Sequence, residues 1–387
     1  PAPTESYTLS LHDALPISVL YFAIWRLQTD GGAMVTASHN PSQYNGCKLN
    51  LGLGSVYADE LQNVLKIIQK GEFSSGKGEK LIYSSMDSEY IDYVVQGIKL
   101  KRPVKVIVDG GNGMGGPYLP EILRQLGCEV IEMYCDPDGD FPNHHPDPTV
   151  EKNMLDLSRA VVDAGYELGI GLDGDSDRIG VVDEKGKMLF GDQILNILAR
   201  DYLRANPGQK VIADVKCSMN LFNDIKARGG EPIMYKTGHA NIKMYMKEAG
   251  VEFAGEMSGH VFLADRWLGF DDAIYVSCRF IEIVSQSLVP VSEFLADQPK
   301  LFNTPELHTK CADERKFQVV AKVCDEFKAE GYDVNDIDGA RITFADGWGL
   351  IRASNTTPVL VTRYEALTAE RMQEIQALVE SKIDKYL

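Results

Sequence analysis

The sequence predicts an α/β protein of tandem strand–turn–helix units, closed by a smaller α+β unit. Three observations carry this reading. The apolar runs at 105–109 and 210–215 read as buried strands, each leading through a turn into a helical pattern. A third apolar run, Gly32-Ala33-Met34-Val35, ends in the tight polar turn Thr36-Ala37-Ser38-His39-Asn40-Pro41. The last stretch reads differently: strands over 343–352 and 359–365 are followed by a helix over 370–383.

Taken in order, residues 1–18 look foreign to the rest of the chain. The segment from Ser6 to Ser18 resembles a translated sequencing-adapter remnant, so a non-native leader is expected, with the natural chain beginning upstream and cut near Val19. Residues 19–50 read as helix, strand, turn, strand. Residues 59–70 place Leu61, Val64, Leu65 and Ile68 at helical spacing, and 71–80, rich in Gly, Ser and charge, reads as a loop. A helix over 88–100 leads into the strand at 105–109. The glycine run at 110–116 then precedes a helix over 119–126. No strand-end acid of a dinucleotide fingerprint is evident, so a tight strand-to-helix turn is the better account of those glycines.

The chain has 387 residues, 44% hydrophobic and 25% charged, which is ordinary globular composition with length for several domains. A net charge of −17 argues against broad nucleic-acid binding, though a local basic cluster could still hold an anionic small molecule. Seven cysteines without a CxxC pair suit a reducing cytoplasm better than a disulfide framework. No apolar run is long enough to span a bilayer.

Four loops carry chemistry. In the first, Ser38 offers a hydroxyl at the exposed end of a strand. In the second, Asp173-Gly174-Asp175-Ser176-Asp177-Arg178, alternate residues of an extended chain share a side, so three carboxylates can converge. Such crowding calls for a cation, and hard oxygen ligands favour Mg²⁺ over Zn²⁺. An EF-hand start is disfavoured, because Arg178 takes the place of its glycine and both flanks read as strands. In the third loop, Gly255-Glu256-Met257-Ser258-Gly259-His260, Glu256 and Ser258 suit neighbouring sugar hydroxyls. The fourth, Arg352-Ala353-Ser354-Asn355-Thr356-Thr357-Pro358, clusters donors fit for an anion. Lys48, Lys216 and His239 are further candidates between these loops.

In this order the four loops resemble those of the α-D-phosphohexomutase superfamily, from about Val19 to the C-terminus. The third loop and the stretch from Asp265 to Asp272 are most similar to the phosphomannomutase/phosphoglucomutase group. The resemblance implies three α/β domains and a smaller α+β domain around a central cleft, here at 19–85, 86–186, 187–298 and 299–387. It implies a mutase that interconverts mannose or glucose 1-phosphate and 6-phosphate through phosphoserine at Ser38 and a hexose 1,6-bisphosphate. Mg²⁺ would sit on Ser38, Asp173, Asp175 and Asp177, with glucose 1,6-bisphosphate as activator. Arg178, Lys48 and Lys216 would supply positive charge. His39, Lys48, His239 and His260 are the candidates for proton transfer or substrate contact. Glu256 and Ser258 would grip the sugar, and Arg352, Ser354, Asn355 and Thr356 the distal phosphate. A hexose phosphate substrate, no nucleic acid, no membrane and a cytoplasmic location complete the expectation. The family's Tyr-Asp-Ile-Arg-Gly-like motif before the serine has no match here. An inactive phosphosugar-binding remnant therefore stays open as an alternative, and within the superfamily phosphoglucosamine mutase is the other subgroup considered.

Overall fold

Val106, Ile107 and Val108 are buried because helices cover both faces of their strand, Lys105–Asp109. In the computed structural model, which describes residues 6–10, 15–40, 43–71, 73–355 and 357–387, this strand lies inside a five-stranded mixed sheet. It pairs in parallel with Glu129–Met133 and Leu168–Leu172. Ile179–Asp183 returns antiparallel, and Met188–Leu189 closes the edge. The sheet thus runs past the expected division at 186/187, because the turn through Gly186, at φ +78°, folds the chain back as a hairpin. Leu157 and Val161 of the helix Leu155–Ala164 cover one face; Leu119, Ile122 and Leu123 of Leu119–Gln125 pack into the core on the other.

The next sheet is smaller: Glu231–Tyr235, Lys210–Asp214, Phe253–Gly255 and Val261–Leu263, in that order. It is flanked by Gly191–Ala205 and Met219–Ala227 on one side and His239–Ala249 on the other. The C-terminal sheet is antiparallel around Gly347–Ala353 and Val359–Ala366, with Ala340–Phe344 as the hairpin partner of the first. Two amphipathic helices, Asp313–Ala329 and Ala369–Asp384, bury Val319, Val323, Phe327, Ile375 and Val379 against it.

The N-terminal region is built more lightly. Gly31–Val35, Cys47–Leu51 and Gly54–Ser55 form a three-stranded antiparallel ribbon. The helix Ile17–Leu27 buries its residues from Ile17 to Ile24, with Phe22 against Tyr90 of the helix Met86–Gly97. Ile17 and Ser18, expected in a leader, are thus its first, fully buried turn; residues 1–5 and 11–14 lie outside the described residues. Residues 71–80 are only partly the expected loop, since Gly78–Ile82 pairs in parallel with Ser6–Ser10 through backbone bonds that need no apolar side chains. Among the described residues no helix is long and apolar enough to cross a membrane.

Candidate functional site

The second loop sits deepest. Its strand, Leu168–Leu172, is wholly buried, and the turn at its end keeps Asp173, Asp175 and Asp177 at 2% exposure or less. Asp173 Oδ1 accepts from the backbone N–H groups of Asp177 and Arg178, both at 3.0 Å, which holds the loop closed on itself. Beneath it lies the glycine run: Met114 N donates to Gly174 O at 2.8 Å, and a Cβ on Gly113 would strike that same carbonyl. Close backbone packing therefore explains these glycines.

The serine turn docks onto this loop. A Cβ on Gly174 would run into the Ser38 carbonyl oxygen, so only glycine permits the approach. Ser38 itself takes φ +56°, an unusual conformation for a residue with a side chain, held by its N–H on Thr36 Oγ1 at 2.9 Å. Its hydroxyl donates to Asp175 Oδ1 at 2.7 Å and lies 3.0 Å from His39 Nδ1 and 3.5 Å from Asp173 Oδ2. Lys48, carried by the ribbon strand paired with Gly31–Val35, reaches Asp175 Oδ2 at 2.7 Å and Asp177 Oδ2 at 2.8 Å.

The charges at this point do not balance. Burial opposes the Lys48 ammonium, but Asp177 and Asp175 outweigh it and hold its pKa well above the usual lysine range. Burial, then Asp177 and Asp175, push the Asp173 carboxyl well above the carboxylate range. Three buried carboxylates share the Lys48 ammonium and the charge of Arg178, a deficit of one positive charge. The three aspartates bring one oxygen each within 4.8 Å of one another. Clustered buried oxygen donors beside a hydroxyl, with a deficit of positive charge, fit a hard divalent cation.

The third loop meets the second through Ile179 N donating to Gly259 O at 3.2 Å. Arg178 Nε donates to His260 Nε2 at 3.1 Å. His239 stacks on His260, ring centroids 5.2 Å apart. Glu256, 1% exposed, accepts from Gly238 N at 2.6 Å; burial raises its pKa. Ser258 is half-buried on the same loop.

The fourth loop is tied in by residues that the sequence reading missed. Asp338 Oδ2 accepts from Arg352 Nε at 3.1 Å and from Thr237 N at 3.0 Å, so it bridges the fourth loop to the turn beside Glu256. Lys216 is likewise held by Glu306, at 2.7 Å. Burial works against its charge, but Asp214 and Glu306 raise its pKa. Ser354 Oγ lies 2.8 Å from Thr357 Oγ1, and Asn355 is exposed. Thr356 lies outside the described residues. Asp271 was also missed as a site residue: it is fully buried and faces His239, His260 and Lys243. Asp338 and Glu306 lie in no motif, and Asp271, although inside the stretch from Asp265 to Asp272, meets its partners only through the fold. Of the other candidates, Ser38, His39, Lys48, the three aspartates, Arg178, His239 and His260 come together, while Glu256, Lys216 and Arg352 line a continuing path of hydrogen-bonded residues.

Known proteins resemble this chain along most of its length. Four family models described as phosphoglucomutase/phosphomannomutase match in succession: alpha/beta/alpha domain I at residues 5–75, domain II at 88–186, domain III at 190–302 and the C-terminal domain at 306–382. The phosphoglucomutase of Neisseria meningitidis is 44% identical over 370 residues, which cover 94% of this chain and 80% of that protein. The phosphomannomutase/phosphoglucomutase of Pseudomonas aeruginosa is 40% identical over 369 residues, 95% of this chain and 80% of that one. Among solved structures, a phosphoglucomutase/phosphomannomutase family protein from Burkholderia thailandensis superposes with a TM-score of 0.90 at 38% identity, covering 96% of this chain and 81% of that one.

Proposed function

The chain belongs to the phosphoglucomutase/phosphomannomutase family, and from that premise we propose how its cleft works. It is a phosphosugar mutase that interconverts hexose 1-phosphate and hexose 6-phosphate, with glucose and mannose as the sugars. The observation that carries the reading is the Ser38 hydroxyl, set at a strained turn 2.7 Å from Asp175 within a buried carboxylate cluster.

Ser38 carries the phosphoryl group, which brings about −1.5 to −2 of charge at neutral pH. Asp173, Asp175, Asp177 and Ser38 would hold a divalent cation, Mg²⁺ by their oxygen chemistry, which would supply charge neutralisation to the transferring group. The phosphoryl group passes from Ser38 Oγ to the free hydroxyl of the bound hexose monophosphate, giving a 1,6-bisphosphate. That intermediate turns round and returns its other phosphoryl group to Ser38; glucose 1,6-bisphosphate primes the enzyme. His39 Nδ1, 3.0 Å from the serine oxygen, can exchange a proton there beside Asp175, to which the hydroxyl donates at 2.7 Å. Lys48, protonated between two aspartates, and Arg178 contribute positive charge near the transfer point. Glu256 and Ser258 grip hydroxyls common to both orientations of the sugar. Arg352, Ser354, Asn355, Thr356 and Lys216 take the phosphate that is not reacting; for this Arg352 and Lys216 exchange Asp338 and Glu306 for phosphate oxygens. Seven unpaired cysteines support a cytoplasmic setting.

The test is incubation of the full chain with glucose 1,6-bisphosphate, followed by peptide mass spectrometry. One phosphate on Ser38 is expected; folded protein that stays unmodified there overturns the reading. Turnover of glucose and mannose phosphates should exceed that of glucosamine phosphate, and the reverse order would make the chain a phosphoglucosamine mutase.

A further inference from the structure

We infer that Asp271 is a positioning residue that sets the ring tautomer of the cleft histidine His239, which stacks on His260. The carboxylate is fully buried at the base of the stacked pair. His239 Nδ1 lies 3.0 Å from Asp271 Oδ2, and His260 Nδ1 lies 3.3 Å from the same oxygen, too poorly directed for a full hydrogen bond. Lys243 Nζ donates to the other oxygen, Oδ1, at 2.8 Å, and also lies against the Tyr21 ring. With an ammonium on one side, Asp271 is an acceptor only, so His239 must present Nδ1–H to it.

A separate contact fixes His260. Arg178 Nε can only donate, and it lies 3.1 Å from His260 Nε2. That nitrogen must therefore carry the lone pair, and the ring proton sits on Nδ1. Nδ1 is buried and, among the described residues, faces the carboxylates of Asp271 and, at 3.6 Å, Asp177. Both rings thus turn their protonated nitrogens towards one acid and keep Nε2 as acceptor.

The pedestal is rigid. Asp272, the next residue, caps the helix Ala273–Gln286 by accepting from Tyr275 N at 3.0 Å. Ala273 N donates to Ser176 O at 3.1 Å, joining this corner to the carboxylate loop. Asp271 touches neither the serine nor the phosphate-binding arginine; it acts through the histidines.

The effect on turnover rests on the mutase reading, whereas the tautomers can be read without substrate. Imidazole ¹⁵N–¹H correlation spectra of the full chain should show His239 and His260 as Nδ1–H forms, assigned with His239→Gln and His260→Gln. Asp271→Asn should shift His239 towards a mixture of tautomers. It should lower kcat by about 10- to 100-fold with KM changed less than about threefold, as for other residues that orient a functional imidazole. Asp271→Asn/Lys243→Met removes the buried ammonium that the single change would strand, and should behave alike. An Nε2–H ring at His239 in the wild type, an unchanged His239 tautomer in either folded variant, or a kcat within about twofold of wild type would each overturn the inference. Wild-type protein with the expected tautomers but no turnover of any hexose phosphate would support the positioning and sink the mutase reading.

Discussion

The serine turn and the carboxylate turn meet at one point but are supported in opposite ways. The carboxylate turn rises from Leu168–Leu172, every residue of which is buried, with helices on both faces of the sheet. The serine turn rises from Gly31–Val35, a ribbon strand with no fully buried residue and with Val35 74% exposed. The nearby helix Ala58–Lys70 leaves Leu61, Leu65, Ile67 and Ile68 exposed, although its apolar residues fall at helical spacing. The difference teaches that Ser38 is located less by its own region than by what it docks onto: the Gly174 backbone, Asp175 and the Lys48 ion pairs. One side of the reaction is a fixed electrostatic surface, and the other is set against it.

If so, the two sides should respond differently to change. The largest effect is expected from Ser38→Ala, which leaves the carboxylate surface intact but removes the acceptor: steady-state turnover should fall by about 10⁴-fold or more. Removing divalent metal with EDTA, or Asp173→Asn, should come next, with a loss of about 10³-fold; Mg²⁺ should restore the stripped wild type but not the variant. Gly174→Ala probes the docking itself. Its added methyl group meets the Ser38 carbonyl, so kcat should drop by about 10²-fold with the unfolding midpoint little changed. An unaffected kcat would mean that the serine turn does not depend on this contact.

Stability tests sharpen the same contrast. Leu157, fully buried under the carboxylate sheet, should cost about 2–5 kcal/mol when changed to Ala, by urea denaturation. Leu65, 45% exposed on the helix of the first region, should cost about 0.5 kcal/mol or less. Equal losses would show that the first region is packed as tightly as the second.

Much of this was legible in the sequence wherever the chemistry lies within one turn. Asp173, Asp175 and Asp177 converge within one short segment, although through a turn with Ser176 at φ +64° and not through the extended chain expected, and Ser38 stands out because one strand end presents it. Buried strands such as Lys105–Asp109 announce themselves by their apolar runs. The glycines at 110–116 were readable as a tight turn, but not as the bed of the carboxylate loop, which needs the Met114–Gly174 contact. Gly78–Ile82 hid in a polar stretch, since its pairing is made by backbone groups.

The sequence by itself therefore determined the type of each unit, the identity of the four loops and the class of chemistry they carry, because these depend on residues close together along the chain. Tertiary structure alone decided which acid faces which base. Asp338 on Arg352, Glu306 on Lys216 and Asp271 on His239 and His260 join segments separated in sequence. In a buried, weakly screened cleft, such pairings govern charge and tautomer through distances of a few ångströms, which only the packed chain defines.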